Sequence, residues 1–147
     1  MKICEDLIEC WIRLSALIWN NRITKELTYY EATILRELIR QNGNPINATA
    51  LTKKSGMKKP QMHRILRSLE DRGFIVRETD SNDRRSQNIW IHPSAVDVYY
   101  SDHNRVLSLL SIVVEEAGDE LVYEFIDRAD RMAEFFNYAQ EIINREG

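Results

Sequence analysis

RSLEDRGFIVRETDSNDRRSQNIWIH, residues 67–92, places a charged run between two apolar patterns. A helical pattern ends at Gly73, and two short β-like segments follow, 74–79 and 87–92. Between them lies the polar turn Asp80-Ser81-Asn82-Asp83-Arg84-Arg85-Ser86. Along the hairpin, Ile89 and Ile91 alternate inward, and Trp90 and Arg77 are expected to face out. A helix followed by a hairpin with paired arginines at its tip is the sequence form of a winged helix. Such a helix suits a DNA major groove, and an arginine tip can reach into a flanking minor groove.

Working upstream, Pro60 stands where a helix should begin; its missing N–H would have lacked an intrahelical partner in a first turn. From 60 to 72, Met62, Ile65, Leu66 and Leu69 recur at helical spacing and should be buried. Gln61, His63, Arg64 and Arg67 occupy the other side. Before it, Asn47 is placed to cap a helix over 48–55, which Gly56 ends. Two helices joined by a turn of three or four residues, the second with bases near its start, form a helix-turn-helix. An amphipathic pair alone fits a core hairpin equally well. The wing that follows and the local charge tip the reading toward DNA.

That charge is uneven. The chain of 147 residues is acidic as a whole, with a net charge of −3 and a pI near 5.7. Between positions 53 and 85, however, ten bases face five acids, a local net of +5, which leaves −8 for the remainder. Phosphates sense charge within a Debye length of ~8 Å, so the local balance matters more than the total. A winged-helix module that binds protein rather than DNA is the competing class, and it would not need this basic concentration.

The flanks are helical. Residues 3–22 carry Ile3, Leu7, Trp11, Leu14 and Ile18 on a stripe that Ile8, Cys10, Ile12, Leu17 and Trp19 broaden, so this helix needs cover from more than one side. Thr28-Tyr29-Tyr30-Glu31 has the form of a capping box and opens a helix that stops at Asn42-Gly43. After the wing, 94–116 and 119–145 read as two helices separated by Gly118. In the last, Phe125, Ala129, Met132, Phe136, Ala139 and Ile143 recur at alternating spacings of 4 and 3, a heptad seam. Packing within one chain fits that seam equally. A lone winged helix, though, does not need three long extra helices. With Ile3 and Leu7 of the first helix, the seam therefore implies a homodimer.

Taken in order, the helix, the capped LTYYEATIL helix, ALTKKSGM, MHRILRSLEDRGFI and the Asp83-Arg84-Arg85 wing resemble the MarR family of bacterial transcriptional regulators. The resemblance spans essentially the whole chain and is strongest from 27 to 91. It implies a mainly α fold with a small β-hairpin wing. A winged helix-turn-helix DNA-binding lobe would occupy 24–92, with helical dimerisation regions at 1–23 and 93–147, all in one domain. It implies that Lys58, Lys59, Gln61, His63, Arg64 and Arg67 lie at the major groove of a double-stranded operator. Arg84 and Arg85 would form the wing contact, with Asp83 orienting an arginine. It also implies a small aromatic effector near Trp11, Trp19, Tyr29 and Tyr30, although any one of these aromatics could simply fill the core. Two departures stand out: the connection 20–27 is short, and His92-Pro93-Ser94-Ala95 replaces the family's usual Leu-Thr-x-x-Gly.

Catalytic patterns do not emerge. His63, His92 and His103 are scattered, and neither a metal-binding spacing nor a Gly-rich phosphate loop occurs, so no enzyme, metal or cofactor is expected. The two cysteines, Cys4 and Cys10, fall about 120° apart around a helix and make a poor disulfide pair. Free thiols fit a cytoplasmic protein, and a thiol-based redox sensor of the same fold is the alternative they raise, against burial of Cys10 in a dimer core. The start of the chain carries acids where a signal peptide would need bases, and no apolar run is long enough to span a membrane.

Overall fold

A computed structural model describes residues 2–20 and 23–146, except the side chains of 18–20 and 146. Its elements run α1 (Lys2–Asn20), α2 (Tyr29–Arg40), β1 (Ile46–Asn47), α3 (Ala48–Ser55), α4 (Lys59–Asp71), β2 (Ile75–Thr79), β3 (Gln87–Ile91), α5 (Pro93–Ala117) and α6 (Asp119–Glu146). The chain divides into two units, 1–106 and 107–147.

In the first unit, local chemistry sets most boundaries. Thr28 and Glu31 form the expected capping box: the Glu31 N–H donates to the Thr28 hydroxyl at 3.2 Å, and the Thr28 N–H donates to the Glu31 carboxylate at 2.9 Å. At the far end of α2, Asn42 and Gly43 both take positive φ, 51° and 86°. Asn and Gly enter that left-handed region most cheaply, so this pair stops the helix. The Asn47 side-chain oxygen Oδ1 accepts the Ala50 N–H at 2.7 Å and caps the start of α3. The end of α4 is a Schellman turn around Gly73 (φ 71°), with the Phe74 N–H returning to Leu69 O and the Gly73 N–H to Glu70 O, both at 2.9 Å.

β1, β3 and β2 form a three-stranded antiparallel sheet in that spatial order. Ile46 pairs with Ile89, and the hairpin pairs Ile75 with Ile91, Arg77 with Ile89 and Thr79 with Gln87. Directly opposed residues share a face, so Arg77 lies on the inner face with Ile75, Ile89 and Ile91. This corrects the expectation that Arg77 faces out. Its side chain is only 18% exposed, and the guanidinium is met by Glu70 of α4.

The core lies between the sheet and helices α2, α3, α4 and the start of α5. Ile34, Leu35 and Leu38 of α2, Leu51 of α3, and Met62, Ile65, Leu66 and Leu69 of α4 are buried. Ile75, Ile89, Ala95 and Tyr99 complete the cluster. Each fully buried Leu or Ile contributes about 1.5–3 kcal/mol relative to exposure, so this cluster holds the lobe together.

The second unit contains the end of α5 and all of α6, joined at Gly118 (φ 80°). Leu121, Phe125, Ile126, Met132, Phe135, Phe136 and Ile143 are all exposed on α6. No described helix is long and apolar enough to cross a membrane.

Candidate nucleic-acid interface

The inward side of α4 is fixed by Met62, Ile65, Leu66 and Leu69. At 100° per residue, Pro60, Arg64, Arg67 and Asp71 then fall opposite the core, with His63 beside them. His63, Arg64 and Arg67 are exposed, and Gln61 sits half-buried on the shoulder. Lys58 occupies the N-cap position without a side-chain capping bond, and Lys59 opens the helix; both are exposed. All six residues expected on this helix thus lie at its start or along its outer side.

The wing turn is built by two carboxylates. Asp80 Oδ1 accepts the N–H groups of Asn82 (2.7 Å) and Asp83 (3.2 Å), and its Oδ2 accepts Asn88 Nδ2 at 3.0 Å. Hydrogen bonds from Asn82, Asn88 and Asp83 hold the Asp80 carboxyl below the usual carboxylate range. Asp83 Oδ1 in turn accepts the Arg85 N–H at 3.0 Å. The bond between this acid and the wing arginine is thus to the Arg85 backbone amide. Backbone bonds from Asp80 N to Ser86 O and from Ser86 N to Asp83 O close the loop, leaving Arg84 and Arg85 exposed.

Helix and wing are tied directly. Arg77 Nε donates to Glu70 Oε2 at 2.9 Å, and Nη2 bonds the same oxygen. The hydrogen bond from Arg77 keeps the Glu70 carboxyl below its ordinary range. A strand of the wing is thus fastened to the last turn of α4.

The remaining expected residues are less gathered. Tyr29 and Tyr30 touch edge to face at the start of α2, with ring centroids 5.5 Å apart, and Tyr30 packs against the core. Trp11 is exposed on α1, and the Trp19 side chain lies outside the described residues. Ile3 and Leu7 on α1, and Phe125, Ala129, Met132, Phe136, Ala139 and Ile143 on α6, are all exposed in the single chain. Cys4 and Cys10 are free and exposed. Among the described residues, no group of three or more His, Cys, Asp or Glu side chains could hold a metal ion.

Sequence reasoning missed one buried acid and half the role of a second. Asp102, 2% exposed on α5, accepts backbone N–H groups from Lys25, Glu26 and Leu27 at 2.8–2.9 Å. Burial raises its carboxyl, but those three bonds and the charge of Arg105 outweigh this and leave it below the usual range. A signal was present: Ala95, Tyr99 and Asp102 follow the i, i+4, i+7 stripe that faces a core. The second acid is Glu31. Beyond capping α2, it accepts Ser68 Oγ at 2.9 Å and Arg72 Nη1 at 3.2 Å, fastening α2 to α4.

Comparison with known proteins agrees with this geometry. Residues 27–87 match the profile of the MarR family. No curated protein matches the chain in sequence. The transcriptional regulator PcaV from Streptomyces coelicolor, solved with its natural ligand, superposes with a TM-score of 0.73 at 17% identity, over 87% of this chain and 89% of that one. MepR from S. aureus, solved with DNA, gives 0.66 at 20% identity over 74% and 80%. The repressor CouR, bound to a 23-mer DNA duplex, gives 0.66 at 21% over 74% and 75%. At these identities the superpositions speak for the fold, and they match the winged-helix arrangement of α2 to β3. The match to the MarR-family profile thus covers residues 27–87, and the fold is the one these structures and a MarR family transcription regulator at 19% identity share.

Proposed function

We propose that the protein is a sequence-specific, homodimeric DNA-binding transcriptional regulator whose operator occupancy responds to a ligand. The observation that carries this reading is the joint presentation of two basic elements: the outer side of α4 and the arginine wing, locked to each other through Glu70 and Arg77. Arg64 and Gln61 would meet base edges in the major groove, where an arginine pairs with guanine and a glutamine with adenine. Lys58 and Lys59 would pair with phosphates, which fix register without reading sequence. Arg85, with Arg84 beside it, would enter the adjacent minor groove, where A·T-rich tracts concentrate negative potential. The DNA complexes of MepR and CouR support this assignment, and the ligand complex of PcaV supports an effector. For that effector the candidates are Trp11, Trp19, Tyr29 and Tyr30, with a small aromatic compound as the expected chemistry.

Selection of bound fragments from genomic DNA, followed by titration at fixed salt, tests the reading. Arg64→Ala and Gln61→Ala should each cost about 1–3 kcal/mol on the selected duplex and little on random DNA. Lys58→Ala and Lys59→Ala should weaken both duplexes alike and lower the salt slope by about one unit per lost phosphate contact. Equal loss on both duplexes for all four variants would show that α4 does not read sequence.

A further inference from the structure

The segment 25–27, just before α2, is gripped from two sides. From α5, both carboxylate oxygens of Asp102 take its three successive backbone N–H groups: Lys25 on Oδ1, and Glu26 and Leu27 on Oδ2. From the end of α4, Arg72 Nη2 donates to the Glu26 carbonyl at 3.0 Å, and Nη1 reaches Glu31 on the other side of the capping box. The Arg72 guanidinium also lies over the Phe74 ring, 4.4 Å from its centroid, where the chain leaves α4 for the wing. Thr24 Oγ1, donating to the Leu27 carbonyl at 2.7 Å, closes the segment on itself.

We propose that residues 25–27 form a latch through which α5 sets the position of the recognition helix, with Asp102 and Arg72 as its two positioning residues. The chemistry favours transmission over simple anchoring. Glu26 gives its N–H to Asp102 and its carbonyl to Arg72, so one peptide plane on each side of its Cα carries each grip. A shift of α5 that releases Asp102 withdraws three bonds at once and frees the backbone that holds the Arg72 fork. Arg72 is the C-cap of α4, so its loss of hold acts on the end of the helix from which the wing departs. Neither residue is among those assigned to DNA contact on α4 or the wing, and the two variants change the net charge in opposite directions, so a loss of binding common to both must pass through helix placement. The DNA part of this inference rests on the function proposed above; the mechanical part does not.

Asp102→Asn keeps the shape but replaces one acceptor oxygen with a donor that opposes an N–H. Arg72→Gln removes the fork from a partly exposed side chain, and its fold should survive. Hydrogen exchange over 24–31 and 68–75 is measured for wild type, both single variants and the double variant, alongside affinity for the selected duplex. The latch predicts faster exchange in both segments for either variant. For Arg72→Gln this includes the Lys25 and Leu27 amides, which Arg72 does not bond. Each single variant should lose about tenfold in operator affinity, within the range of couplings carried by packed networks, and the double variant should lose no more than either alone. Exchange changes confined to 24–31 for Asp102→Asn and to 68–75 for Arg72→Gln, or additive affinity losses, would overturn the latch. If wild-type protein prefers no duplex, the functional reading fails, while the exchange data still decide whether the two grips are coupled.

Discussion

Residues 27–99 and residues 107–146 both carry large apolar side chains at helical spacing, but they treat them in opposite ways. In the first stretch Ile34, Leu35, Leu51, Met62, Leu66 and Ile89 vanish into a shared core; in the second Phe125, Met132, Phe135, Phe136 and Ile143 remain open to solvent. The first has short elements meeting at several angles, so each apolar stripe finds a neighbour within the chain. The second has long helices whose stripes face outward. Large apolar side chains left exposed in this number along one helix point to an interaction site. The first stretch is finished by its own sequence, whereas the homodimer proposed above would cover the second with another chain.

The largest effect should come from breaking the unfinished region. Phe136→Glu places a carboxylate in the α6 seam of both protomers. Its desolvation should raise the dimer dissociation constant by at least about 100-fold, since an uncompensated buried charge costs several kcal/mol. Sedimentation checks this, and the circular dichroism of the lobe should stay unchanged. A variant that sediments as an intact dimer would remove Phe136 from the seam.

A smaller effect should appear in the finished lobe, at the wing. Arg85→Ala should cost about tenfold or more in affinity, chiefly on operators with A·T-rich flanks. Asp83→Ala makes the protein more positive, and simple charge counting predicts tighter binding. The Asp83 carboxylate holds the Arg85 amide, however, so losing that bond should loosen the tip. One exposed hydrogen bond is worth about 0.5–1.5 kcal/mol, so binding should weaken by about two- to tenfold. Titrating both variants at one salt concentration decides it. Tighter binding by Asp83→Ala would mean that the acid only crowds the phosphates.

The same contrast explains what could be read from the residues in order. The capping box at Thr28, the Asn47 cap, the stop at Gly73 and the buried side of α4 depend on neighbours within a few positions, and all were legible. The spacing of apolar residues along α6 was legible because it is local, and the structure leaves Phe125, Met132, Phe136 and Ile143 exposed. Arg77 was misread because a charge on a strand suggests solvent, while the register set by Ile75 turned it inward, toward Glu70. Asp102 was missed because, although its stripe with Ala95 and Tyr99 points it at a core, the partners that satisfy an acid there lie 75 to 77 positions away. Asp80 was counted only as a charge. Its role in folding the wing tip follows from the short Asp-Ser-Asn-Asp run, which favours side-chain-to-backbone turns.

In the function proposed above, the apolar helical part pairs two chains, so that two lobes read one two-fold site. The direct measurement is the mass and affinity of the complex formed with the selected duplex, by sedimentation and titration at physiological salt. Two chains per full duplex are expected, with an affinity at least about 10³-fold above random DNA of the same length. One chain per duplex, or equal affinity for selected and random DNA, would contradict it.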